Sequence, residues 1–205
     1  MATFTARGKV LEVELQNDAI RAVQGAMVAY TGKVEFKGAG LGGGDGLRAA
    51  IKRRAGGESV SFMECSGTGR VHFAVNAQYV TVIDLADDTL SVEADSLLAV
   101  TPGLRLDVKF AGIGGAMAGQ GVATTTVTGR GQVALLSDGP MITFEVSPGQ
   151  PLVVDPDAFI ASSGQLSMSI VRGISWRSLV GEGSGEPFSM RFDGSGLVSI
   201  QPAER

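Results

Sequence analysis

The chain of 205 residues predicts an all-β fold: three repeated units packed with pseudo-threefold symmetry into one compact globular unit, with one short helix in the first. Three observations carry this reading. Short runs of alternating apolar and polar residues recur along the chain. The phrase small-Gly-x-Gly-x-Val occurs three times, as SGTGRV (Ser66–Val71), TGRGQV (Thr128–Val133) and DGSGLV (Asp193–Val198). Upstream of each phrase lies an eighteen-residue block that aligns with the other two without a gap.

The strand runs come first. KVLEVELQN (Lys9–Asn17) alternates through Val10, Glu12, Val13, Glu14 and Leu15. Similar runs appear at YVTVIDLAD, LSVEAD, LRLDVKF, ATTTVTG, QVALLS, MITFEVS and FSMRF. Period-two runs punctuated by Gly, Asp, Asn and Pro are the mark of antiparallel sheet. Glycine supplies 30 of 205 residues, about twice its usual share of roughly 7%. Because 44% of the residues are hydrophobic, those glycines mean tight turns in a foldable chain rather than disorder.

The repeat follows from laying the chain on itself. Ala19–Phe36, Thr89–Leu106 and Pro151–Met168 match position by position. Ile20 falls with Leu90 and Leu152, Val28 with Leu98 and Ile160, Ala29 with Ala99 and Ala161, and Val34 with Leu104 and Leu166. Each block is followed by one copy of the phrase and then by an apolar strand, VHFA, VALL or VSIQ. The units are therefore 1–75, 76–139 and 140–205. Each has an apolar face too small to stand alone, which is why the three share a core. A Gly-x-Gly before a strand predicts a turn or bulge at positive φ where one strand ends and the next doubles back.

One stretch breaks the β pattern. In Lys37–Ser59, Asp45 is placed to cap a helix, Leu47, Ala50 and Ile51 form an apolar stripe, and Lys52, Arg53 and Arg54 suit a last turn closed by Gly56. This predicts a short helix over about 45–55. Gly38, Gly40 and Gly43 have the spacing of a dinucleotide loop, but a parallel βαβ setting is missing and Asp45 sits where a phosphate would. The basic Lys52–Arg54 cluster is a candidate surface for anionic headgroups or an acidic partner. Trp176 in GISWRSLVGEG is a second candidate contact residue.

Composition narrows the chemistry. A net charge of −4 offers no global basic field for phosphate backbones, which argues against nucleic acid as a partner. One Cys (Cys65) and one His (His72) exclude an intrachain disulfide and argue against a Cys/His zinc site. His72 lies in the alternating RVHFA and reads as a structural strand residue. GEGSGEP does not match a nucleophile elbow. Neither catalytic, metal nor cofactor-binding residues are therefore expected. MATFTARGKV lacks a signal or transit pattern, and the expected location is cytoplasmic.

GGGDGLRAAIKRRAGGESVSF (Gly42–Phe62), SGTGRV, TGRGQV and the closing FDGSGLVSIQP (Phe192–Pro202) resemble the altered inheritance of mitochondria protein 24 family. The resemblance covers nearly the whole chain. It implies three short double-stranded β-helix units, similar to those of the ring-forming tryptophan RNA-binding attenuation protein. Fungal members are associated with mitochondrial inner-membrane organisation, a role not carried over to a chain without their presequence. The expectation is a non-catalytic scaffold or interaction protein that self-associates as a homo-oligomer or binds a protein partner. Two alternatives stand beside it: peripheral binding to an anionic membrane surface through the basic helix, and small-ligand or nucleotide binding at the Gly38–Gly46 loop.

Overall fold

The computed structural model describes residues 2–38, 61–111, 122–172 and 188–202. Twelve strands follow in chain order: β1 (Thr3–Arg7), β2 (Val10–Val23), β3 (Met27–Gly38), β4 (Phe62–Phe73), β5 (Tyr79–Glu93), β6 (Leu97–Val100), β7 (Leu104–Ala111), β8 (Val122–Ser137), β9 (Ile142–Val146), β10 (Leu152–Val154), β11 (Phe159–Arg172) and β12 (Phe188–Ile200). They form one sheet in the order β10-β12-β11-β5-β8-β6-β2-β4-β3, with β1 on β2, β7 on β8 and β9 on β12. The paired strands run antiparallel. The predicted helix over 45–55 lies outside the described residues; among those described, the helical segments are two single 3-10 turns, Ala94–Ser96 and Pro156–Ala158.

The strands are longer than their apolar runs because bulges carry the chain through a change of parity. In β2, Leu11, Val13 and Leu15 point into the core, then Ile20 and Ala22 do. The odd-to-even switch is made at Asn17, an extra residue with φ 60° between the pairs Gln16↔Thr68 and Asp18↔Gly67. Asp87, with φ 67°, does the same in β5, joining the separate runs YVTVIDLAD and LSVEAD into one strand. One inserted residue keeps the same face buried on both sides of the bulge. The middle residue of the phrase anchors it: Thr68 Oγ1 accepts from the Asn17 amide at 3.1 Å, and Arg130 pairs with Asp87.

The phrases themselves correct the sequence reading. SGTGRV, TGRGQV and DGSGLV do not end strands; they lie inside β4, β8 and β12, which run on through them. The positive φ is present, at 130° for Gly67, 125° for Gly129 and 124° for Gly194. The further need for glycine is the neighbouring backbone. A Cβ on Gly67 would stand 2.2 Å from Lys33 O, one on Gly129 2.8 Å from Gly103 O, and one on Gly194 2.2 Å from Gln165 O. The residue opposite is a large aliphatic each time: Val34↔Gly67, Leu104↔Gly129 and Leu166↔Gly194.

The registers on both sides of these strands coincide. The residue before the phrase pairs with Ile20, Leu90 or Leu152 on one side (Cys65, Val127, Phe192). It pairs with Phe36, Leu106 or Met168 on the other. A register shift falls between Met27 and Ala29, Leu97 and Ala99, and Phe159 and Ala161. The 3-10 turns are tied by carboxylates: Glu93 accepts from the Asp95 amide at 3.0 Å and Asp155 from the Asp157 amide at 2.9 Å.

Two short pairings bind the β2–β4, β5–β8 and β11–β12 pairs into one sheet. Ala22↔Ala99 and Arg21↔Val100 join β2 to β6, and Val92↔Ala161, Ser91↔Ser162 and Leu90↔Ser163 join β5 to β11. Arg21 also donates to the Leu104 carbonyl across the first of these. Leu98 and Ala99 are buried in a cluster with Leu11, Ile20, Ala22 and Phe73. Ile160 and Ala161 are buried in a second with Leu90, Val92 and Val127. A third cluster, Val146, Val154, Phe159, Met190, Phe192 and Val198, draws its buried members from residues 146–198 alone.

Two stability predictions follow from these contacts. Leu98→Ala and Ile160→Ala each remove about 3 kcal/mol in denaturant unfolding, as buried aliphatic truncations do, whereas Val28→Ala, at a position 57% exposed, stays within about 0.5 kcal/mol. Gly67→Ala costs about 3 kcal/mol, a fall in Tm of about 10 °C. Gly25 also has a positive φ, 85°, but nothing lies within 4 Å of a new Cβ there, and Gly25→Ala costs only about 1 kcal/mol in the same assay.

Candidate functional site

The densest group of charged side chains among the described residues gathers on Glu12 of β2. The β1–β2 hairpin brings Arg7 alongside it, with Nε and Nη2 donating to the carboxylate at 3.1 and 3.0 Å. On the other side of β2, Glu12 is directly opposite His72 of β4. His72 Nε2 lies 3.3 Å and Arg70 Nε 3.9 Å from the carboxylate oxygens. The hydrogen bond from Arg7 is the main cause holding Glu12 below the usual carboxylate range, with Arg70 and His72 adding to it against the opposing effect of burial.

This cluster holds one side of the imidazole on a carboxylate. One ring nitrogen of His72 faces Glu12, and the other, Nδ1, is buried without a hydrogen-bond partner. Among the described residues no nucleophile is hydrogen-bonded to the ring. Cys65, seven pairs further along the β2–β4 ladder, is fully buried, and burial pushes its thiol up to about 11, which keeps it protonated and unreactive. The sequence reading of His72 as a strand residue agrees with its place in β4. Glu12, Arg7 and Arg70 were not singled out from the sequence, because only the β2–β4 register brings them to His72.

A groove of about 540 Å³ opens beside the first phrase, between 17–19 of β2, Lys33–Glu35 of β3 and Ser66–Gly67 of β4. Its walls mix Asp18, Glu35 and Lys33, so it presents both signs of charge. Among the described residues no group of three His, Cys, Asp or Glu side chains is placed to hold a metal ion, and no helix is long and apolar enough to cross a membrane. The candidate contact residues Lys52, Arg53, Arg54 and Trp176 lie outside the described residues, as does the glycine loop beyond Gly38.

The depressed ionisation of Glu12 has a testable sign. A carboxylate whose folded value is lowered contributes stability that is present above its unfolded value, about pH 4.3, and is lost as pH falls below it. Glu12→Gln is therefore less stable than the parent protein at neutral pH in urea unfolding, and the difference closes toward about pH 2. A gap that stays constant across this range would mean that Glu12 acts through packing instead.

Comparison with known proteins bears on the fold. A search of curated proteins found no match. Among solved structures, the chain is similar to the X-ray structure of the Streptococcus pyogenes protein SPYM3_0169, with 23% identity and a TM-score of 0.74 over 100% of this chain and 94% of that one. The family model described as Mitochondrial biogenesis AIM24 matches residues 3–203. A match of that extent means that the chain belongs to the AIM24 family.

Proposed function

We propose that this protein is a non-catalytic scaffold that works by self-association. In this reading the chain is three copies of one short double-stranded β unit, 1–75, 76–139 and 140–205, joined head to tail. The observation that carries it is the coincidence of register. Three strands, β4, β8 and β12, hold the glycine phrase at one position, with a Val or Leu opposite its first glycine and a like register shift after the connecting turn. The proposed boundaries fall between β4 and β5 and between β8 and β9, in the connections that separate the hairpins.

Self-association is the function that such an array supports best, because a sheet built by adding units through strand pairing has edges at its two ends. Its largest exposed apolar side chains include Val28 and Tyr30 on β3 and Val153 on β10, the strands that end the sheet order. The Glu12 cluster, with its histidine turned onto a carboxylate, supports a structural role for the one histidine.

Light scattering on the purified chain across its soluble concentration range tests the proposal. The expected result is a mass that rises from the monomer's 21.1 kDa toward its multiples. A strict monomer throughout would overturn self-association. A specific thermal shift with a nucleotide or metabolite, or flotation with anionic liposomes, would instead favour a ligand-binding or membrane-surface role.

A further inference from the structure

We infer that copies of this chain join end to end by pairing β10 of one copy with β3 of the next, in the register already used twice inside the chain. The inference rests on the three-unit scaffold reading above and names its contact surface. At the β2–β6 junction, Ala22 pairs with Ala99; at the β5–β11 junction, Val92 pairs with Ala161. In the sequence alignment the residues equivalent to Ala22 and Val92 include Val154, and the residue equivalent to Ala99 and Ala161 is Ala29. The third pairing, Val154 with Ala29, would complete the series, yet among the described residues β10 pairs only with β12 and β3 only with β4.

The burial of the equivalent side chains points the same way. Leu98 and Ile160 are 0% exposed at the two internal junctions, whereas Val28, their counterpart, is 57% exposed. Ala99 and Ala161 are buried and Ala29 is exposed. At the opposite end, Ile20 and Leu90 are buried where Leu152 is only half-buried, and Val153 beside it is 53% exposed. One chain thus carries both halves of a junction at its two ends, each apolar and each shaped like a contact made elsewhere in the same molecule.

The register follows from the internal pairs. Leu152, Val153 and Val154 of one copy lie antiparallel to Thr31, Tyr30 and Ala29 of the next, and Val28 packs against the cluster of Val154, Phe159 and Phe192. Lys33, Glu35 and Lys37 further along β3 and Pro151 before β10 confine the pairing to this short stretch, since charges and proline discourage edge pairing. The contact is heterologous, so it yields a closed ring where the rotation per copy closes and an open filament where it does not.

Two variants separate the ends. Val28→Glu with Ala29→Glu blocks the β3 edge at positions exposed in the single chain, and Leu152→Glu blocks the β10 edge. Circular dichroism and thermal unfolding establish that each is folded. Each variant alone should then remain monomeric at concentrations where the parent associates, its association weakened more than about tenfold. An equimolar mixture should form a one-to-one dimer, because each variant keeps the edge that the other lacks.

Disulfide trapping gives a reading that does not depend on those variants. Tyr30→Cys and Val153→Cys chains, mixed and oxidised, should crosslink with each other, and neither should crosslink alone. Association of the blocked variants like the parent, absence of the mixed dimer, or crosslinking of Tyr30→Cys with itself would overturn the end-to-end register while leaving self-association in place. A monomeric parent would overturn both.

Discussion

The sheet depends on the close approach of two backbones at the first glycine of each phrase. Lys33 O, Gly103 O and Gln165 O come so near Gly67, Gly129 and Gly194 that no Cβ fits between them. β4 and β8 pair along both edges through this point and β12 along one, with a Val or Leu on the neighbouring strand opposite the gap each time. At the second glycine the space is also taken: a Cβ on Gly131 would stand 2.2 Å from Thr101 Oγ1 and 3.2 Å from Leu104 Cγ, and one on Gly196 2.2 Å from Ser163 O and 2.9 Å from Leu166 Cγ. Glycine here admits packing that any side chain would exclude.

From that approach the rest of the architecture is arranged. The strand on one edge absorbs a residue, Asn17 or Asp87, and in the last hairpin the five residues 147–151 between β9 and β10 occupy the same place. The strand on the other edge starts after a 3-10 turn, Ala94–Ser96 or Pro156–Ala158, and delivers Leu98 or Ile160 into the preceding hairpin's core. Side-chain amides reinforce these links. Gln132 accepts from the Phe4 amide at 2.7 Å and donates to Asp84 at 2.9 Å, tying the N-terminal strand to β8 and β5. Gln201 accepts from the Asp138 amide and donates to the Asp157 carbonyl, both at 2.9 Å.

Much of this was legible in the sequence, and what was missed has identifiable physical causes. The alignment of Ala19–Phe36 with its two counterparts is matched by the pairing of Val34, Leu104 and Leu166, since a conserved spacing between apolar residues and glycines reflects register. The phrase was misread as a turn because positive φ is shared by turns and by glycines pressed against a neighbouring strand, and only the partner strand distinguishes them. The bulge did leave a signal: in LEVELQNDAIRAV the apolar residues change parity across Gln16–Asp18. The Glu12 cluster left none, because a cross-strand pair is defined by register between segments some sixty residues apart.

Amide hydrogen exchange, resolved by residue, tests the claim that the same junction occurs twice within the chain and once unfilled. In dilute protein the account predicts that Ala99, Val100 and 161–163 exchange in the slowest class, while the amides of 29–31 that face away from β4 exchange fast and become protected as concentration rises. Equal exchange of 99–100, 161–163 and 29–31 at low concentration would contradict it.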